Sequence, residues 1–405
     1  MKSRFFYCQT QRCKPNHRSA MAKNSNLSQA KAAKNDEFYT QYADIQKEVN
    51  AYIEYNPDVF RGKTILLPCD DPEWSNFTKF FAQNFEFFGL KKLISTSYAI
   101  ESKNYKTDWQ PTLFETENPL YNADKSRIKG KIFTLDHDTN TNGRIDIDDL
   151  QWQYLEGDGD FRSAEVTALR DEADIIITNP PFSLFREFLA WIMEAKKQFA
   201  IIGNMNAITY KEVFPLIKEN KIWIDNPFVR GAGYFTSPME LDTTLSYFNS
   251  HDYREGFIRV PGVRWFTNIE LGRRHQPLKL MSMADNLKFN KKLKGQTEYY
   301  HYDNYNAIEV PYTELIPSDY EGIMGVPISF IDKYCPEQFE IVGMCENEDL
   351  YHLKTKIYTT AECKQAYMNK FGKEGTYDLN ASGVLTRNGI QEKVYQRILI
   401  RHKKQ

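Results

Sequence analysis

Runs and spacings of apolar residues mark out a series of short strands and amphipathic helices. The sharpest run is Ala173-Asp174-Ile175-Ile176-Ile177-Thr178-Asn179-Pro180-Pro181-Phe182. Three successive isoleucines behind an acid suit a strand covered on both faces. Pro180 and Pro181 stop its ladder, since neither has an N–H and both fix φ. Asn179, ahead of proline, is held extended at the carboxyl end. Leu184, Phe185, Phe188, Leu189, Ile192 and Met193 then recur at helical spacing.

The same reading extends along the chain. Ile45, Val49, Tyr52 and Ile53 predict a helix, Lys63–Pro68 a strand running into Cys69-Asp70-Asp71-Pro72, and Lys92–Tyr98 another. Between those strands Ser75 reads as the N-cap of a helix carrying Phe77, Phe80, Phe81, Phe85 and Phe88, closed by Gly89. A helix at 163–171, strands at 198–203, 221–224 and 263–268, and a helix over 210–220 complete the pattern. Strand–helix–strand order with short links predicts an α/β fold with a parallel, doubly wound sheet. Residues 100–156 read as an inserted segment of polar turns and short strands.

Composition narrows the class. The chain has 405 residues, 41% of them hydrophobic, enough for a large α/β domain and a second unit. It has no run of the ~18–20 apolar residues that a membrane helix needs and no signal-peptide pattern. The six cysteines show no paired metal spacing and read as reduced thiols of a cytosolic protein. Cys8, Cys13 and His17 lack a further ligand.

Net charge is −2, which argues against indiscriminate polyanion binding. The charge is unevenly placed, however. Residues 1–35 carry eight Lys or Arg and no acid, a basic disordered arm that contacts phosphates or is simply a solvated tail. Met21 as the true start, or an organelle transit peptide, are other readings of that segment. From 273 onward, Arg273, Arg274, His275, Lys279, Lys288, Lys291, Lys292 and Lys294 precede Tyr299, Tyr300, Tyr302 and Tyr305, a mixture suited to phosphate contact and base stacking. Lys393 to Lys404 reads as a further basic tail.

Candidate chemistry centres on Asn179-Pro180-Pro181-Phe182. An exocyclic amine such as that of adenine is a poor nucleophile, because its lone pair is delocalised into the ring. The Asn179 amide oxygen and the Pro180 carbonyl can accept its hydrogens and favour a pyramidal nitrogen. Phe182 offers a face for a planar base. The plain alternative is a Pro-Pro turn with Phe182 in the core.

Upstream, Gly157-Asp158-Gly159-Asp160-Phe161 reads as a turn where Phe161 stacks on an adenine and Asp160 accepts from its amino group, or as a plain turn before a helix. There is no G-x-G-x-x-G, which counts against NAD and ATP and less against S-adenosylmethionine. Asp138-Thr139-Asn140-Thr141-Asn142-Gly143 fits a Ca²⁺ loop, with Asp138, Asn140, Asn142 and Asp149 as candidate ligands of a structural Ca²⁺. The alternative there is an Asx-rich turn.

Taken together, the chain resembles the EcoRI-type adenine-specific DNA methyltransferase family, of the gamma class of amino-methyltransferases. The resemblance is carried by DEFYTQYADI (36–45), CDDPEWSNF (69–77), GLKKLI (89–94), GDGDFRS (157–163), ADIIITNPPFSLFREFLA (173–190), ITYKEVFPLIKENKIW (208–223), GIMGVPISF (322–330) and PEQFE (336–340).

It implies a Rossmann-like, S-adenosylmethionine-dependent methyltransferase domain at 36–275 and a C-terminal DNA target-recognition region at 276–405. Carried onto this sequence, Asn179, Pro180, Pro181 and Phe182 are catalytic. Tyr39, Thr40, Asp70, Asp71, Asp160 and Phe161 border the cofactor, and Arg273, Arg274, Lys291 and Lys292 contact duplex DNA. The target adenine must be flipped out of the helix. The setting implied is a prokaryotic cytoplasm, with functional pairing to a restriction endonuclease but no stable complex. An RNA or protein amino-methyltransferase, or an inactive DNA-binding homologue, are the alternatives. Three departures stand out: Cys69–Phe77 replaces the usual glycine-rich motif, no acid ends the second strand near Thr96-Ser97, and the first twenty residues and the insertion with the Ca²⁺-like loop have no family counterpart.

Overall fold

The alternation of Ile175, Ile176 and Ile177 divides the interior in two. In the computed structural model, which describes residues 39–71, 75–99, 116, 119–228, 232–236 and 256–404, Ile175 and Ile177 enter one core cluster and Ile176 the other. That is the period-two pattern of a strand buried on both faces.

The described residues open with β1 (Tyr39–Thr40) and α1 (Tyr42–Tyr55), whose Ile45, Val49 and Tyr52 are buried along one face. β2 (Thr64–Leu67) follows, then α2 (Asn76–Gln83), capped by the Ser75 side chain accepting from Phe77 N–H. The expected phenylalanine helix breaks at Asn84, giving a short α3 (Phe85–Phe88) that ends at left-handed Gly89 before β3 (Lys92–Ser97).

Next come α4 (Ala123–Ile128), β4 (Lys131–Leu135), β5 (Gln151–Tyr154), α5 (Ala164–Glu172), β6 (Ile175–Thr178), α6 (Phe185–Glu194) and β7 (Gln198–Asn204). The predicted helix over 210–220 shrinks to α7 (Phe214–Lys218), preceded by a 3₁₀ turn at Met205–Thr209 and carrying Pro215 in its first turn. β8 (Trp223–Asp225), β9 (Ala232–Thr236), β10 (Ile258–Pro261) and β11 (Val263–Thr267) follow.

Eight of these strands form one sheet, in the order β5-β4-β3-β2-β6-β7-β11-β8. β3, β2, β6 and β7 are mutually parallel, as expected. β4, β5 and β11 pair antiparallel with their neighbours, so the whole sheet is mixed. The segment 100–156, expected to be an inserted stretch of polar turns and short strands, supplies β4 and β5, which complete one edge of the main sheet. Strand order reverses between β2 and β6, and open α/β sheets bind ligands outside the carboxyl ends at such a point. β1, β9 and β10 form a separate small sheet.

Beyond residue 276 lie α8 (Met283–Phe289), β12 (Ala307–Glu309), β13 (Ile323–Pro327), β14 (Phe339–Met344), α9 (Thr360–Phe371), β15 (Val384–Arg387), β16 (Ile390–Lys393) and β17 (Arg397–His402). A second sheet has the order β12-β13-β17-β14. The expected basic tail is therefore its β17, with Ile398, Leu399 and Ile400 buried. Met324, Val326, Phe339 and Ile341 of this sheet share a core cluster with Leu66, Ile94, Ile176 and Phe266 of the main one.

Candidate active site

The carboxyl ends of β2, β3 and β6 bring the sequence-predicted residues together. β2 runs through Pro68 into Cys69, whose φ of +71° is a strained, left-handed geometry for a residue with a Cβ. Asp70 then turns inward. It is 4% exposed, and its N–H donates to Thr96 O at 2.8 Å, tying the turn to β3. One carboxyl oxygen accepts from Ser75 Oγ at 2.7 Å and the other lies 2.5 Å from Thr178 Oγ1. Burial, opposed by the bonds from Ser75 and Thr178, raises this carboxyl from 3.8 to about 7.

Both Asp70 oxygens are thus engaged within the protein. Asp71, half-buried, is the neighbouring acid with the more exposed position. Thr40 reaches the same corner through Asn76 Nδ2, which donates to Thr40 O at 2.8 Å. Tyr39 and Thr40 are held there by pairing with β9.

The Gly157–Phe161 turn closes over the end of β3. Ala99 N–H donates to Asp158 O at 2.8 Å, and Gly159 (φ +88°) sits so close that a Cβ would collide with Ser97 O. Only glycine fits that approach. Asp160 is gripped by Arg162 through Nε at 2.9 Å and Nη2 at 2.6 Å, and Tyr98 Oη donates to it at 3.3 Å. The Arg162 bonds hold the Asp160 carboxyl below the usual range, while burial and then the Asp160 and Asp158 charges push the Tyr98 hydroxyl up.

Phe161 is 3% exposed, edge-on to Phe188 and Trp191. In this arrangement Asp160 offers no open acceptor and Phe161 no open stacking face. Sequence reasoning singled out neither Tyr98 nor Arg162 as site residues. Tyr98 stands where the expected second-strand acid is missing, and Arg162 was visible only as the residue after Asp160-Phe161.

At β6, Thr178 is fully buried and Asn179 half-buried, with Pro180 buried behind it. Pro181 O accepts Leu184 N–H at 2.9 Å, so Phe182–Leu184 makes one 3₁₀ turn before α6. Phe182 is half-buried against the cluster that holds Ile175 and Ile177. The tetrapeptide therefore forms the expected rigid corner beside the Asp70 turn.

Other expectations are corrected. In the Ca²⁺-like loop, Asp149 accepts from Thr139 N–H (2.8 Å), Asn140 N–H (3.1 Å) and Asp146 N–H (3.1 Å), and Asp138 from Asn142 N–H (3.3 Å) and Gly143 N–H (2.8 Å). These carboxylates close an Asx-rich turn. Asn140 and Asn142 side chains accept from backbone N–H groups in the same way. Among the described residues no group of three or more His, Cys, Asp or Glu is placed to hold a metal ion.

Arg274 is not turned to solvent. It is 8% exposed, pairs with Glu270 at 2.6 Å and lies 4.0 Å over the Trp223 ring. Arg273 is paired with Asp225 at 3.0 Å, and Lys292 with Glu314; Lys291 is exposed. Tyr299, Tyr302 and Tyr305 are buried, so they pack the C-terminal core and offer no base-stacking face. The basic arm and Cys8, Cys13 and His17 lie outside the described residues. Among the described residues no helix is long and apolar enough to cross a membrane.

Comparison with known proteins fits this arrangement. The family profile described as "Adenine-specific methyltransferase EcoRI" matches residues 26–403. The chain is 41% identical to the Type II methyltransferase M.EcoRI of Escherichia coli, over 81% of this chain and 91% of that protein. It is 34% identical to the Type II methyltransferase M.MpnI of Mycoplasma pneumoniae, over 82% and 90%. A third relative, M.MgeORF184P of Mycoplasma genitalium, is 33% identical, over 82% and 90%. No solved structure matches. With its Asn-Pro-Pro-Phe corner at the carboxyl edge of the main sheet, the chain belongs to the EcoRI family of adenine-specific methyltransferases.

Proposed function

We propose that this chain is a site-specific DNA methyltransferase that methylates the N6 amino group of an adenine in duplex DNA, using S-adenosylmethionine. The observation that carries the reading is Asn179-Pro180 at the end of β6, beside the strand-order reversal and the acidic turns that follow β2 and precede α5. The donor set suits this cofactor, which is cationic and has no phosphate. Asp71 and Asp158 bring carboxylates to that edge, and no glycine-rich phosphate loop is present. Thr40, Asp71 and the Gly157–Phe161 turn, in a Rossmann-like frame, would hold it.

When bound, S-adenosylmethionine supplies an electrophilic methyl group. Asn179 Oδ1 and the Pro180 carbonyl accept the two amino hydrogens of the adenine, which lets its nitrogen lone pair turn out of the ring plane. Pro181 fixes φ at the corner, so those acceptors are preorganised. Phe182, half-buried beside the corner, stacks against the base. The base lies outside the duplex at that moment, at a cost of a few kcal/mol for unpairing. Residues 36–275 serve as catalytic unit and 276–405 as the region that reads DNA. Exposed Lys291 is the strongest of the four predicted phosphate contacts, because Arg274 is inward-facing. The reaction protects host DNA in the cytoplasm against a partner endonuclease that needs no stable complex with this chain.

Methylome sequencing of a bacterial host expressing this chain alone tests the reading. N6-methyladenine confined to one short DNA motif is the expected result. Unmodified DNA from a host in which the protein is folded, or methyl groups found in RNA or protein instead, would overturn it.

A further inference from the structure

We infer that Asp70 is a neutral carboxylic acid that positions Thr178, and through it the backbone entering Asn179, and that it is not a cofactor ligand. This rests on Asn179 being the residue that holds the target amine. Hydrogen counting carries it. Thr178 Oγ1 lies 2.6 Å from Pro68 O and 2.5 Å from Asp70 Oδ2, yet a hydroxyl has one hydrogen. Pro68 O is a carbonyl and can only accept. Given to Asp70, that hydrogen would leave two oxygens at 2.6 Å with none between them. Given to Pro68 O, it obliges Asp70 Oδ2 to supply its own.

The rest of the chain of bonds agrees. Asp70 Oδ1 accepts from Ser75 Oγ–H at 2.7 Å, and Ser75 Oγ accepts Phe77 N–H at 3.1 Å. One directed series therefore runs from the first turn of α2 to the last carbonyl before the strained Cys69. Its last donor is Thr178, the residue bonded to Asn179 in the chain. Among the described residues the charged group acting on Asp70 is Asp71, a like charge, and no cation is there to favour the ionised form. Both oxygens are directed into the protein, at 4% exposure, so neither is open to a ligand's ammonium or hydroxyl.

Four variants test this: Asp70→Asn, Thr178→Val, Thr178→Ser and Asn179→Ala. Binding of S-adenosylmethionine is measured by calorimetry, and methyl transfer to DNA in single turnovers. An asparagine offers one donor and one acceptor in the geometry of the neutral acid. D70N is expected to fold, with cofactor affinity and transfer rate within about threefold of the parent. T178V is expected to lose roughly tenfold or more in transfer rate while cofactor affinity holds, and T178S to restore most of it. A cofactor affinity weakened by more than about tenfold in D70N, a D70N that does not fold, or a T178V with parental rate overturns the proposal. N179A separates the two readings. If N179A transfers at the parental rate, the reading of the corner falls and the proposal with it. If N179A is inactive but binds cofactor, a failed D70N or T178V result overturns the proposal alone.

Discussion

Arg264 on β11 and Asp332 of the C-terminal region form a two-pronged ion pair, Nε to Oδ1 at 2.7 Å and Nη2 to Oδ2 at 2.8 Å, with both side chains largely buried. Asn226 Nδ2 adds a bond to the same Asp332 carboxylate at 3.0 Å. The pair joins the main sheet to the 3₁₀ segment Ile328–Lys333 that follows β13, beside the apolar cluster the two sheets share. Removing one partner leaves the other charge buried, whereas an apolar replacement of both need not destabilise. Asp332→Ala is therefore expected to lower unfolding free energy by about 3–5 kcal/mol, and Arg264→Met with Asp332→Leu to recover most of it. Urea melts check this. Because one cluster spans both sheets, the parent is expected to unfold in a single transition.

The acid at the end of β2 gives a pH-dependent stability of known sign. Burial, against the bonds from Ser75 and Thr178, raises the Asp70 carboxyl from 3.8 to about 7. The folded protein then binds this proton more tightly than the unfolded chain does. Its contribution is whole below about pH 4 and is lost as pH rises through about 7. Each unit is worth about 1.4 kcal/mol, so the loss is of the order of 4 kcal/mol at most. An asparagine at this position would not titrate. The melting temperature of Asp70→Asn relative to the parent is expected to climb between pH 5 and pH 8. A constant difference across that range would show that Asp70 does not titrate there.

How legible these features were depends on the range of the contacts behind them. β2, β3, β6 and β7 could be read from local pattern, because a strand covered on both faces has a near-continuous apolar run. The polar stretch holding β4 and β5 hid two strands of the main sheet, since Phe133, Leu135 and Trp152 are their only fully buried apolar residues, set among polar ones. The Asn179 corner was legible because its residue types and rigidity are local. Its support was not, for Thr178 meets Asp70 across 108 positions. Similarly, Glu309 is paired with Arg397 at 2.7 Å across 88 positions and bonded by Tyr302, which turns an apparent basic tyrosine-rich surface into core. Composition gives the residue types in a segment but not which way each side chain faces.

The Asp138–Asp149 turn is expected to be indifferent to chelation. Asp149 accepts from three backbone N–H groups and from Thr139 Oγ1 at 2.9 Å. Burial opposes ionisation, but the bonds from Asp146, Thr139 and Asn140 outweigh it and lower the carboxyl. Its stabilising contribution is thus present above the ordinary carboxylate range and lost on acidification. EDTA is expected to leave the melting temperature unchanged, while Asp149→Ala lowers it with or without EDTA. A drop with EDTA that added calcium reverses would contradict the self-closed turn.

Asn179 and Phe182 are expected to fail in different ways. Asn179 contributes an acceptor that matters when the adenine nitrogen becomes nucleophilic, so Asn179→Ala removes transition-state stabilisation and leaves the cofactor's surroundings in place. Transfer is expected to fall to a trace while S-adenosylmethionine still binds. Phe182 instead contributes base stacking worth about 1–3 kcal/mol, which corresponds to roughly five- to 150-fold. If that stacking is used equally before and during transfer, Phe182→Ala weakens binding of the flipped base and raises KM for DNA more than it lowers kcat. Steady-state kinetics on an oligonucleotide carrying the methylated motif separates the two. A mismatch opposite the target adenine lowers the cost of extrusion and is expected to rescue Phe182→Ala but not Asn179→Ala. Rescue of both variants, or of neither, would contradict the division of labour between amide and ring.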